Sequence, residues 1–118
     1  KDRYTTMQAC DIAIAASGTV TLELALLEKP MIIVYKGNPL AFWLAKKWVK
    51  LDHAGLPNII AKKAIVAELL QSDMTPENIV CHVQQLLTDK SVYATQKNNL
   101  DDVNIAIIQY YILCQDTF

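Results

Sequence analysis

The stretch Asp11-Ile12-Ala13-Ile14-Ala15-Ala16, broken at Ser17-Gly18-Thr19 and followed by Pro30-Met31-Ile32-Ile33-Val34-Tyr35, decides the fold. A short apolar run that stops at a tight turn is the pattern of a buried parallel strand, so residues 11–16 are expected to be one. From Thr19 to Lys29 the helix formers Leu22, Glu23, Leu24, Ala25, Leu26 and Leu27 dominate, and Pro30 forbids continuation. Met31 to Tyr35, rich in Ile and Val, is the second strand. Strand, helix and strand in this order make a βαβ unit, whose right-handed crossover leaves the two strands parallel. The expected class is α/β, a parallel sheet with helices on both faces.

Outward from this unit the signals are weaker. Asn38 can cap and Pro39 can open a helix over 39–50 carrying Phe42, Trp43, Trp48, Lys46, Lys47 and Lys50. Basic residues beside aromatic ones suit an anionic membrane surface, but core packing with lysines at a helix C-terminus is the stronger reading. Residues 52–58, with Gly55 and Pro57, are read as a loop entering a short strand at Ile59 and Ile60. A short helix is expected from Lys62 to Leu70. Thr75-Pro76 opens another with Ile79, Val83, Leu86 and Leu87 as its apolar face. The last helix, from about Ser91 to Cys114, sets Val103, Ile107, Tyr110, Tyr111 and Cys114 on one face and Ile105, Ile108 and Ile112 on another. Such a wide stripe is expected to meet something outside this chain, and the chain to self-associate through it.

Composition narrows the class of function. The 118 residues are 53% hydrophobic and 19% charged, enough for one compact domain. Lys+Arg 11 against Asp+Glu 12 gives a net charge of -1 and argues against a nucleic-acid partner. Cys10, Cys81 and Cys114 show no CxxC spacing, which fits a reducing cytoplasm and neither a disulfide framework nor a zinc site. Lys1 at the start and the polar opening read as a piece of a longer chain. No run approaches the roughly 18 apolar residues of a membrane span.

Function is expected at Ser17-Gly18-Thr19, because ligands of open α/β sheets sit at the C-terminal ends of strands. The first N–H groups of a helix lack partners within it, the macrodipole is positive there, and Gly18 allows close approach of a phosphate. No Asp or Glu among Thr19, Val20 and Thr21 competes for that end. Glu23 lies one turn further on the same face, about 5.4 Å along the axis, where a carboxylate can accept from both hydroxyls of a ribose. Phosphate below and ribose above describe a nucleoside diphosphate. The same residues also fit a capped turn with a solvated glutamate. Neither the dinucleotide glycine fingerprint nor the P-loop GK[ST] is present. Ser17 stands in no G-x-S-x-G elbow, and His53 and His82 have no motif tying them to it. Cys81 and His82, adjacent on a helix, point apart, with Cys81 read as core and His82 as surface. Asn58 offers its amide to a nucleobase or sugar, or simply forms a turn.

Ser17-Gly18-Thr19-Val20-Thr21-Leu22-Glu23, then Lys29-Pro30-Met31, Asn38-Pro39 with Phe42-Trp43-Leu44-Ala45-Lys46, and Leu56-Pro57-Asn58 together resemble the C-terminal half of the lipid-A-disaccharide synthases. The similarity runs from about Asp11 to Gln71. It implies a GT-B glycosyltransferase of two Rossmann-like halves, with the UDP-sugar held mainly by the C-terminal one. The implied reaction moves 2,3-diacylglucosamine from UDP onto 2,3-diacylglucosamine 1-phosphate with inversion, with no metal and no cofactor. On that resemblance Ser17, Gly18 and Thr19 bind the diphosphate, Glu23 holds the ribose, and Asn58 and Gln71 match polar positions of the donor site. Leu40 departs from the family, which has an aromatic residue there. The carboxylate that deprotonates the acceptor lies in the N-terminal half, so no catalytic residue is expected in this chain and the chain alone is expected to be inactive. Residues 1–90 would be part of the donor domain and 91–118 a helix packing on the other half or a second subunit. A UDP-sugar donor, a lipid acceptor and a cytoplasmic, membrane-peripheral setting follow from the same resemblance. The alternatives are another GT-B UDP-N-acetylglucosamine transferase of envelope synthesis and a non-catalytic α/β interaction module.

Overall fold

The structure, a computed structural model, describes residues 3–37 and 55–117, with side chains from 4 to 37 and from 55 to 109. The helix expected over 39–50 lies outside the described residues. Three short strands form a parallel sheet in the order β1-β2-β3: β1 (Ala13–Ala16), β2 (Met31–Tyr35) and β3 (Ala67–Leu70). Ala13 pairs with Met31 and Ala16 with Val34, while Ile32 pairs with Ala67 and Tyr35 with Leu70. Central strand β2 is buried on both faces, with Met31, Ile32 and Ile33 fully inaccessible, as its unbroken apolar run requires.

The helices are α1 (Arg3–Ala9), α2 (Thr19–Leu26), α3 (Leu56–Ala61), α4 (Pro76–Thr88) and α5 (Lys90–Thr117). On one face of the sheet Ala15, Met31 and Ile33 pack against Leu24 and Ala25 of α2 and Leu100 and Val103 of α5. On the other, Ile32 and Leu69 pack against Leu86 of α4, with Ile79 and Val83 beside it. Helix α5 serves both layers, since Val92 and Tyr93 join the second cluster. Its Gln96 also reaches the start of β2, where the buried side-chain oxygen accepts the Met31 N–H at 2.7 Å. Helix α1 has no counterpart in the sequence reading. Its Met7 packs on the first cluster, and the Lys29 ammonium donates to the Gln8 carbonyl at 2.8 Å, a cation at a helix C-terminus.

Helix α2 stops at Leu26, three residues short of the expected Lys29. Glu28 adopts a left-handed φ of 56°, its N–H donates to Ala25 and the Lys29 N–H to Leu24, which is a Schellman closure with glutamate in the place glycine usually takes. The segment after Gly55 is where the sequence reading fails. The strand expected at Ile59 and Ile60 is helix α3, with Pro57 in its first turn, where a missing N–H costs nothing. The helix expected over 62–70 is a turn and then β3, because Lys62 at φ 60° ends α3 and the buried Ile65 and Val66 lead the chain into the sheet.

Helix α4 begins as expected: the Thr75 hydroxyl accepts the Asn78 N–H at 3.1 Å. Its core-facing stripe is the buried Leu86 with the partly buried Ile79 and Val83, and Leu87, assigned to that face from sequence, is 64% exposed. Cys81 lies two residues past Ile79, on the far side of the helix, and is exposed, whereas His82 flanks the stripe and is half-buried. The assignment of Cys81 to the core is thereby overturned, and His82 lies at the edge of the stripe. On α5 the division into two apolar faces holds: Val103 is buried and Ile107 packs on the core, while Ile105 and Ile108 are about half exposed. Tyr110, Tyr111, Ile112 and Cys114 lie outside the described side chains.

Candidate nucleotide site

The C-terminal ends of the three strands present Ser17, Tyr35 to Gly37, and Leu70-Gln71 along one edge of the sheet. Ser17 is tied to this edge by its own N–H, which donates to the Val34 carbonyl at 3.1 Å. Gly18 then turns the chain into α2 at φ 148° and ψ -165°, a region that is essentially glycine-only. A Cβ added there would meet nothing within 4 Å, so glycine is required by the backbone and the space beside it is open.

Gly18, and not Ser17, is the N-cap of α2, and as a glycine it makes no side-chain cap. Thr21 holds the turn instead. Both its N–H and its hydroxyl donate to the Gly18 carbonyl, at 3.2 and 2.6 Å, which closes the first turn from inside. The first turn carries no acidic residue. Its outward N–H groups have no cap from the N-cap residue, and the positive end of α2 faces the strand edge. Thr19 is exposed there, Ser17 is half-buried, and the half-buried Glu23 follows one turn along.

Gln71 reaches the same edge from β3. It starts a 3-10 turn at φ 54°, and its side chain makes a two-way clasp on Gly37: the Gly37 N–H donates to Oε1 at 2.8 Å and Nε2 donates to the Gly37 carbonyl at 3.2 Å. Asn58 stands apart from these residues. It is fully buried in α3, its Oδ1 accepting the N–H groups of Ile65 and Val66 at 2.8 and 3.0 Å. Its Nδ2 donates to the Val66 carbonyl at 2.9 Å and to Glu68 Oε2 at 2.7 Å. Two donors and two acceptors exhaust an amide, so the group that the sequence offers to a nucleobase or sugar is spent within the fold.

Thr21, Gly37, Gly55 and Glu68 carry hydrogen bonds here that the sequence did not assign to them. The signal for Glu68 was present, a lone carboxylate within the apolar run Ile65 to Leu70. Asp89 and Tyr93, whose protonation the fold biases, lie elsewhere. The Ser91 hydroxyl and the N–H groups of Val92 and Ser91 hold the Asp89 carboxyl below its ordinary range. Burial, with Asp11 and Cys10 nearby, pushes the Tyr93 phenol up while it donates to the Asp11 carbonyl at 2.9 Å. A groove of about 270 Å³ between Ala64-Ile65 and the face of α5 from Ser91 to Asn99 lies at the opposite, N-terminal edge of the strands, and none of the expected site residues lines it. Among the described residues no cluster of His, Cys, Asp and Glu could hold a metal ion, and no helix is long and apolar enough to cross a membrane.

A family model described as Lipid-A-disaccharide synthetase matches residues 1–111. The chain belongs to this family. The lipid-A-disaccharide synthase of Sulfurihydrogenibium sp. is 47% identical over 100 residues, 85% of this chain and 26% of that protein. The synthase of Nitrosococcus oceani is 47% identical over 87 residues, 74% and 22% of the two chains. That of Colwellia psychrerythraea is 51% identical over 81 residues, 69% and 21%. The chain thus spans about a quarter of the length of the curated lipid-A-disaccharide synthases it matches. The α/β class and the parallel βαβ unit agree with the Rossmann-like half implied by the resemblance.

Proposed function

We propose that this chain is the donor-binding part of an inverting glycosyltransferase that forms the lipid A disaccharide from UDP-2,3-diacylglucosamine and 2,3-diacylglucosamine 1-phosphate. The observation that carries the reading is the N-terminus of α2, whose N-cap is a glycine with no side chain to cap it, set behind a glycine-only turn at the C-terminal edge of the sheet. The diphosphate of UDP sits against the N–H groups that follow Gly18, with the Ser17 and Thr19 hydroxyls beside it. Glu23 accepts from the ribose hydroxyls. Gln71 belongs to the same edge, and Asn58 supports it from within the fold.

In the reaction the acceptor hydroxyl oxygen bonds to the anomeric carbon as the bond from that carbon to the β-phosphate oxygen breaks. Negative charge collects on the departing UDP, and the positive end of α2 stabilises it where it develops. The hydroxyl proton passes to a base outside this chain, in the length that the relatives have beyond it. The exposed Ile105 and Ile108 of α5 serve an interface with the rest of the enzyme or with a second subunit. A cytoplasmic setting at the membrane surface suits the acylated substrates.

Calorimetric titration with UDP, beside UMP and ADP, tests the reading. Preference for UDP, weakened by Glu23→Ala with the fold intact, is the expected result. A folded chain that prefers none of the three returns the site to a structural turn, and unchanged affinity in Glu23→Ala removes Glu23 from it.

A further inference from the structure

Two side chains of β3 and its end hold two separate points of backbone. Gln71 clasps Gly37 through both its amide atoms. Glu68 Oε2 accepts the Gly55 N–H at 3.0 Å and the Asn58 amide at 2.7 Å. Gly55 is buried so tightly against the sheet that an added Cβ would collide with the end of the Ile33 side chain and press on the Glu68 carboxylate. Gly37 and Gly55 are the points at which the chain leaves β2 and turns into α3. Gly37 also lies three residues beyond Val34, whose carbonyl anchors Ser17.

One path therefore runs from Gln71 to Gly37, along the end of β2 to Val34, and across to the Ser17-Gly18 turn, and a second runs from Glu68 through Gly55 into α3, which packs against α2. Gln71 spends one donor and one acceptor of its amide on a single backbone unit, which fixes the side chain against Gly37. A left-handed φ of 54° is strained for a non-glycine residue, and here it aims that side chain at Gly37. We propose that Gln71 and Glu68 are positioning residues of the nucleotide site, acting on nucleotide affinity through the Gly37 and Gly55 backbones and not by contact with the nucleotide. The proposal rests on the donor-site reading above.

The test pairs calorimetric titration of UDP with amide hydrogen exchange in the nucleotide-free chain, for wild type, Gln71→Leu, Glu68→Leu and Glu68→Gln. Gln71→Leu is expected to speed exchange at Gly37, leave Gly55 unchanged, and weaken UDP binding about tenfold. Glu68→Leu is expected to speed exchange at Gly55 with a similar loss, and Glu68→Gln, which keeps an acceptor oxygen, to restore both. Should Glu68→Leu unfold, Gln71→Leu at its half-buried position and Glu68→Gln carry the test. Weaker binding with unchanged Gly37 exchange would mean that Gln71 touches the nucleotide itself, which overturns the proposal. Wild-type affinity in Gln71→Leu overturns it as well. A wild-type chain that takes up no UDP instead fails before any substitution is made, and it is the donor-site reading that falls.

Discussion

Thr21 turns its hydroxyl back onto the Gly18 carbonyl at 2.6 Å, so the first turn of α2 is closed by an internal bond from a buried side chain and its outward N–H groups are left to face the strand edge. The geometry works only while Gly18 keeps its φ of 148°. Gly18→Ala is expected to lower stability by about 1–3 kcal/mol, and to abolish UDP uptake in calorimetry at protein concentrations where the wild type binds. A variant as stable as wild type in denaturant melts would mean that the turn relaxes at no cost.

Asn58 is the other residue on which a whole segment depends. Asn58→Leu strands the buried N–H groups of Ile65 and Val66 and the Val66 carbonyl. The expected loss is about 3 kcal/mol in urea unfolding, with Asn58→Asp intermediate because it keeps the acceptors but sets a second carboxylate against Glu68. Equal stability of the leucine variant would refute the structural role.

Acid should loosen the joint between α4 and α5. The Ser91 hydroxyl, the Val92 N–H and the Ser91 N–H all donate to Asp89 Oδ1, and they lower its pKa in the folded chain. A depressed carboxyl stabilises the fold above the unfolded value of 3.8, and that contribution is lost as pH falls through the lower folded value. Asp89→Ala is thus expected to melt below wild type at about pH 7 and to approach it at about pH 3. A gap independent of pH would show that the charge plays no part.

The half-exposed Ile105 and Ile108, one turn apart on α5, give the self-association reading its test. Replacing both by Ser should leave the melting temperature within a few degrees, because neither belongs to the core, and should shift sedimentation toward monomer. A wild-type chain already monomeric throughout the concentration range would remove the interface.

The βαβ unit was legible because its signals are local: Met31 to Tyr35 is too apolar for anything but a central strand, and Ser17-Gly18 marks the turn that feeds α2. The third strand was not legible. Helix α3 is too short to show periodicity, and what makes the chain after it extend is the Asn58 side chain gripping Ile65 and Val66, a contact across the turn that no window of propensities contains. The same holds for the site. Ser17, Gly18 and Thr19 stand together as their spacing suggests, because turn and helix start are adjacent in sequence. The clasp of Gln71 on Gly37 joins residues from different strands, so the sequence showed a polar residue there without its task.

Gln96 and Met31 are far apart along the chain, yet the second strand has its first N–H satisfied only when α5 arrives with Gln96, and the same helix brings Leu100 and Val103 to close the core. During synthesis the ribosome delivers β1, α2 and β2 long before that helix. The nascent sheet must therefore wait, this apolar face covered by α2 but not yet by α5, until α5 clears the exit tunnel, and a chain stalled between α4 and α5 would leave part of the cluster around Met31 and Ile33 open to chaperones and proteases.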